Sequence, residues 1–322
     1  MRSQSAIFVD AGYLMAAVAT RVTGSSLRRG IKVDYAGLVS ELIALVEERA
    51  GLPVLRVYWY DAGKNGAAEP EHEKVAVLPK VKLRLGHVGV VGEQKGVDLR
   101  IGLDMVGHSR NHAVDVIYLL SGDGDLTEAV EEAQAQGVQV FVLAVPTESG
   151  EPHGVSGYLT KAADGVEVLE GSILETTVTK AAAQPRLLAD GLAARAARPP
   201  SPLDLARRAA PMQETASITA YSGGGGVQPY IAPTYQHDSA EVEQAIIDVV
   251  GKAYRAWSAT ATSEQRKELR EGRPTIPREL DRALLVDLSD ALGDYYLSDE
   301  IRVKLRAQLW VAVDGEDRRI IQ

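Results

Sequence analysis

The segment DVIYLLS at 115–121 is apolar almost throughout, as a strand covered on both faces must be. AIFVD at 6–10 is a shorter run of the same kind. VLRVYWY at 54–60 and VQVFVLAV at 138–145 are rich in β-branched and aromatic residues. Helical periodicity lies between these runs. Leu14, Val18 and Val22 recur at four-residue spacing over 12–22, and Leu38, Leu42, Leu45 and Val46 form a stripe over 34–50 that Gly51-Leu52-Pro53 ends. Further helices are expected near 69–79, from Lys95-Gly96-Val97-Asp98 onward, over 126–136 and around 155–163, with strands at 81–91 and 165–170. Strand and helix alternate repeatedly, which predicts a three-layer α/β/α fold around a parallel sheet.

Such a sheet gathers its strand ends along one edge, where open α/β folds bind ligands. Asp10 ends the first run, and Ser121-Gly122-Asp123-Gly124-Asp125 follows the most apolar one. Asp98 lies in the first turn of a helix after Gly96. Carboxylates far apart in the chain are therefore expected to meet. Like charges in one place are costly unless a cation sits among them, and a hard divalent metal acting on a phosphate ester is the economical explanation. Each aspartate also has a plainer role: Asp10 or Asp125 can cap a helix, and Asp98 can answer the helix dipole. Ser121 can hold Asp10 in place or bond a phosphate. Asp104 falls on the sheet-facing stripe of its helix, so it is either part of a buried ion pair or a support behind the metal site.

Other chemistries find no support. Residue 12 is Gly, where a haloacid-dehalogenase-like phosphatase needs a second Asp, and Asp10-Ala11-Gly12-Tyr13 is not a dinucleotide fingerprint. No GxSxG elbow is present, and the glycines at 223–226 lack the Lys-Ser/Thr of a phosphate loop. His108 and His112 have a zinc-like spacing but fall in what reads as a loop. There is no cysteine, so thiolate sites and disulfides are excluded, and a cytoplasmic protein is expected. No export signal is read at the N-terminus, and no apolar run approaches the ~20 residues that span a bilayer.

Charge divides the chain further. The net charge of −9 is made up of −8 over residues 1–175, +3 over 176–237 and −4 over 238–322. An acidic protein has no global attraction for nucleic acid, so any such partner must be held by local cations and a metal. Residues 176–237 are rich in Ala, Pro and Gly and read as a linker, with one helix conceivable near 184–197. Residues 238–322 read as a smaller, mostly helical domain. Its stripes are Val242-Ile246-Val249-Val250, Leu280-Leu284-Leu288-Leu292 and Ile301-Leu305-Leu309. A winged helix or helix-turn-helix module is the alternative to plain helical packing there.

Together, FVDAGYL at 8–14, KGVDLRIGLDMV at 95–106 and YLLSGDGDLTEAVEEAQAQGVQVFVL at 118–143 resemble the NYN domain of the PIN-like ribonuclease superfamily, including the LabA/DUF88-like proteins. The resemblance spans about residues 5–170. It implies an acidic pocket of Asp10, Asp98, Asp123 and Asp125, with Asp104 nearby, that binds Mg²⁺ or Mn²⁺ and cleaves RNA. On this reading Asp10, Asp98 and Asp123 hold the metal, Asp125 orients a metal-bound water, and the products are a 5′-phosphate and a 3′-hydroxyl. Lys82, Arg84, Lys95, Arg100 and Ser121 are the candidates for holding single-stranded or structured RNA, with Arg28, Arg29 and Lys32 as an outer patch. Many members have Asn three residues after the first Asp. Tyr13 stands there in this chain and is expected to touch a base or phosphate. Two other expectations stand beside the nuclease: a non-catalytic RNA-binding or regulatory scaffold that retains the fold, and an assembly function through 238–322 as a homo-oligomer or with a protein partner.

Overall fold

The structure is a computed structural model, and it describes residues 3–64, 67–88, 94–182, 239–293 and 297–320. Its centre is β1 (Ser5–Asp10), buried along its whole length. Ile7 and Val9 point into one core, and Ala6 and Phe8 into the other, as strand alternation requires. β1 pairs in parallel with β3 (Val54–Lys64) on one side and with β6 (Val116–Leu120) on the other. β4 (Val81–Val88), β7 (Gln139–Ala144) and β8 (Gly165–Val168) extend the sheet, and β5 (Gln94–Lys95) closes one edge antiparallel to β4. The order is β5-β4-β3-β1-β6-β7-β8, with the six strands from β4 to β8 in that order all parallel.

Helices cover both faces. α1 (Ala11–Thr23), α2 (Tyr35–Ala50), α3 (Pro70–Ala76) and α7 (Gly171–Thr177) pack over the first core. α4 (Val97–Arg110), α5 (Thr127–Ala135) and α6 (Gly157–Ala162) pack over the second. The expected three-layer α/β fold is thus present. The α/β part runs past the sequence boundary at 175, because α7 continues to Thr177. β9 (Val178–Lys180) then pairs antiparallel with β2 (Ile31–Val33) in a small second sheet. The helix considered near 184–197 and most of the expected linker lie outside the described residues.

The C-terminal region is helical: α8 (Ser239–Thr260), α9 (Ser263–Glu271), α10 (Arg278–Leu292) and α11 (Asp299–Ile320). Its described residues include no strand, so a winged-helix form has no wing there. Ile246, Val250, Trp257, Leu284, Leu288, Leu305 and Leu309 form its core. The described residues before 185 and after 236 make one compact unit. The joint is the segment after α1: Leu27 is only 2% exposed, and it is buried in the helical core rather than in either sheet core. Arg29 beside it reaches Thr260 Oγ1 at 2.9 Å and Gln265 Oε1 at 3.0 Å, pairs with Glu279 and lies over the Trp257 ring. The Ser26 N–H donates to Asp287 Oδ1 at 2.9 Å. Burying one leucine stabilises by about 1.5–3 kcal/mol, and the hydrogen bonds add direction.

Candidate active site

β1 is where the strand order reverses, with β3 to one side and β6 to the other, and the crevice of an open α/β fold lies at that switch. Val9 is level with Leu120, which sets Asp10 beside Ser121 at the carboxyl edge. One Asp10 oxygen accepts the Tyr13 N–H at 3.2 Å, so Asp10 does cap α1. The other accepts the Ser121 hydroxyl at 3.2 Å. Ser121 Oγ in turn accepts the Asp123 N–H at 3.2 Å. Ser121 therefore orients Asp10 from behind. Asp123, rather than Asp125, is the cap of the following 3₁₀ turn, accepting the Asp125 N–H at 2.9 Å. Gly122 is fixed by crowding: a Cβ there would lie 1.9 Å from the Gly154 carbonyl oxygen and 2.9 Å from the Tyr13 ring.

Asp10, Tyr13, Asp98, Asp123 and Asp125 line one cavity of about 950 Å³. Burial, and then the charge of Asp98, pushes the Asp10 carboxyl up to about 6, despite the Tyr13 N–H. Burial, followed by the charges of Asp123 and Asp125, raises Asp98. Each raised carboxyl thus responds to another aspartate of the group, a repulsion that a cation among them would relieve. The donors are oxygens only, which suits a hard divalent ion. Among the described residues, no three carboxylate or imidazole groups stand close enough to enclose an ion as they are.

Several expected residues fall elsewhere. Arg84 Nε lies 3.0 Å from Asp104 Oδ2, which also accepts the Tyr60 hydroxyl at 3.0 Å. Asp104 is therefore the partner in an ion pair rather than a cavity residue, and Arg84 is committed to it. Lys82 and Arg100 are exposed and do not line the cavity. The Lys95 side chain lies outside the described residues. The Tyr13 hydroxyl donates to the His153 carbonyl at 2.6 Å and accepts the Val145 N–H at 3.2 Å, so its ring, rather than its oxygen, faces the cavity. Arg28 is 3.3 Å from Asp61, and Asp61 is 3.3 Å from His72 Nε2, so Arg28 and Arg29 do not form an outer patch. Burial would raise Asp61, but His72 and Arg28 hold it below its ordinary value. His108 is in α4, not a loop. Its Nε2 meets the Tyr58 hydroxyl at 2.6 Å and its Nδ1 the Asp104 carbonyl at 2.7 Å, which accounts for both nitrogens without a metal.

The cavity also has walls that the motifs do not name. After β7 the chain returns through His153, Gly154 and Ser156 to α6, where Tyr158 (65% exposed) and Lys161 line the cavity. Any segment leaving the carboxyl end of a strand beside the switch was a candidate for this position. Arg282, Val286 and Asp290 of α10 form the facing wall, and Asp290 Oδ2 is 3.5 Å from His153 Nε2.

The sequence matches the NYN domain family over residues 4–170, which is more than half of the chain. The chain belongs to the NYN family. That family lies in the PIN-like nuclease superfamily of hydrolases, whose nucleases typically use divalent metals. The uncharacterized protein y4oD of Sinorhizobium fredii (strain NBRC 101917 / NGR234) is 41% identical over 71 residues, covering 22% of this chain and 33% of that protein. The match thus spans about a third of the relative's length. A protein of unknown function from Vibrio parahaemolyticus RIMD 2210633, VPA0982, aligns with 53% of this chain and 94% of its own at 22% identity and a TM-score of 0.36. The NYN match ends at Leu169-Glu170, so α10 and its cavity wall lie outside the family domain.

Proposed function

We propose that this NYN protein is a metal-dependent ribonuclease that hydrolyses RNA phosphodiester bonds. The supporting observation is the convergence of Asp10, Asp98, Asp123 and Asp125 on one cavity, with Asp10 and Asp98 raised by burial and by neighbouring carboxylates. When bound, Mg²⁺ or Mn²⁺ supplies polarisation of the phosphate and a more acidic water. Asp10, Asp98 and Asp123 are the carboxylates that hold the ion. Ser121 keeps Asp10 turned toward the cavity. Asp125, the residue after Gly124 in the 3₁₀ turn, orients the attacking water. Backbone and cavity walls hold the strand.

A non-catalytic RNA-binding form of the fold is the second reading. It is favoured by the carboxylates standing too far apart to enclose an ion, and by the Tyr13 hydroxyl being occupied by backbone. The test is cleavage of labelled single-stranded RNA, structured RNA and DNA in Mn²⁺ or Mg²⁺, with EDTA and an Asp10→Asn/Asp123→Asn double variant as controls. Cleavage by the wild type that both controls abolish is expected. RNA retention without turnover by the wild type would replace the nuclease with the binding protein.

A further inference from the structure

α10 presents two faces. Leu280, Leu284 and Leu288 are fully buried in the helical core. Arg278, Arg282, Val286 and Asp290 follow one another at four-residue spacing on the opposite side, and the last three line the aspartate cavity. Residues off that second face also anchor the helix. Asp287 accepts the Ser26 N–H, and Asp281 accepts both Arg306 Nε at 2.7 Å and an Arg306 terminal nitrogen at 2.8 Å. Glu279 pairs with Arg29. Arg282 is exposed within the cavity and lies within electrostatic reach of Asp10, Asp61, Arg28 and Arg278. It therefore places a permanent, planar positive charge beside a cluster of carboxylates that would otherwise repel a phosphate. An acidic protein needs such a local cation to hold a polyanion near its acids.

We propose that the helical layer completes the substrate site, with Arg282 holding a phosphate of the bound strand. The ligand's identity rests on the ribonuclease reading. The strand lies between α10 and the facing α6 wall, where Lys161 adds a second cation and Tyr158 offers an aromatic face to a base. The substrate site thus draws on a part of the chain that the NYN domain does not include.

The experiment measures affinity of a fluorescent single-stranded RNA oligonucleotide for the full chain carrying Asp10→Asn, with Arg282 as Arg, Lys or Gln. Arg282→Gln is expected to weaken binding on the order of tenfold, and Arg282→Lys less, as expected for a charge-assisted bond. The slope of log affinity against log salt should fall by about 0.7 with Arg282→Gln, a loss that a merely structural arginine would not produce. Val286→Lys and Val286→Glu on the same face repeat the test with Arg282 intact, and decide it if Arg282→Gln does not fold. Lys should bind more tightly than Glu. Equal affinities in both series overturn the proposal, as does absence of binding in the parent. Cleavage unaffected by Arg282→Gln would also overturn it while leaving the nuclease standing. A wild type that binds through Arg282 but never cleaves would remove the nuclease and keep this wall.

Discussion

Asp10 carries two demands that pull in opposite directions. As the cap of α1 it bonds the Tyr13 N–H, and as a buried carboxylate beside Asp98 it resists ionising until about pH 6. Its ordinary value is 3.8, so folding takes up a proton between the two. A carboxyl raised on folding contributes its full stability below about pH 4 and loses it as the pH climbs through about 6. The loss at pH 7.5 is about 3 kcal/mol, since each pKa unit is worth about 1.4 kcal/mol. Asp10→Asn removes this charge but disturbs the Ser121 bond, so a net gain of about 1–2 kcal/mol at pH 7.5 in EDTA is expected. The variant should melt higher than the wild type at pH 7.5, show no advantage near pH 4, and gain nothing from Mn²⁺. Metal should raise the melting temperature of the wild type. A variant that melts lower at pH 7.5 without metal would mean the cap outweighs the charge, leaving no strain for a cation to relieve.

Elements differ in how much of their position the chain reveals locally. β1 and β6 were legible because a doubly covered strand must be apolar throughout, and the aspartates after them were legible because strand ends of a parallel sheet share an edge. β2 and β9 were not, because three residues each are too few for a period to show. Asp104 sat on the stripe that the helical period gives it, but only the tertiary fold brings Arg84 and Tyr60 to it. α10 is the clearest case. Its leucines announced a buried face, yet nothing in that period says that Arg282 and Val286 meet the aspartates. That meeting depends on Leu27, an isolated apolar residue in a Ser-Ser-Leu-Arg-Arg segment. Leu27→Ala should cost about 2–4 kcal/mol of stability through the cavity it leaves. Because the loss falls at the joint, oligonucleotide affinity should drop while Mn²⁺ affinity, set by the α/β part, changes little. Calorimetric titration of each ligand checks this, and equal losses for both would show that the helical layer supports the aspartates as well as the wall.

For the molecule as a whole, charge governs how a strand arrives. The net charge of −9 repels RNA at long range, and that repulsion fades with distance over about 10 Å at 0.1 M salt. Among the described residues lining the cavity, Lys161 and Arg282 are the cations. A single strand releases counterions with a slope of about −0.7 per phosphate contacted, so two contacts give a salt slope near −1.4. A domain that binds along a basic face would be several times steeper. Binding of a short oligonucleotide by the Asp10→Asn chain between 50 and 200 mM KCl, roughly the range over which such slopes are read, is therefore expected to weaken about sevenfold. A slope beyond about −3 would place most phosphate contacts outside the cavity. Residues 183–238 hold five arginines and no lysine, and if they make those contacts a chain lacking 185–236 would lose the excess slope. If that deletion leaves a slope near −1.4 and the same affinity, the walls formed by α6 and α10 suffice to hold the strand.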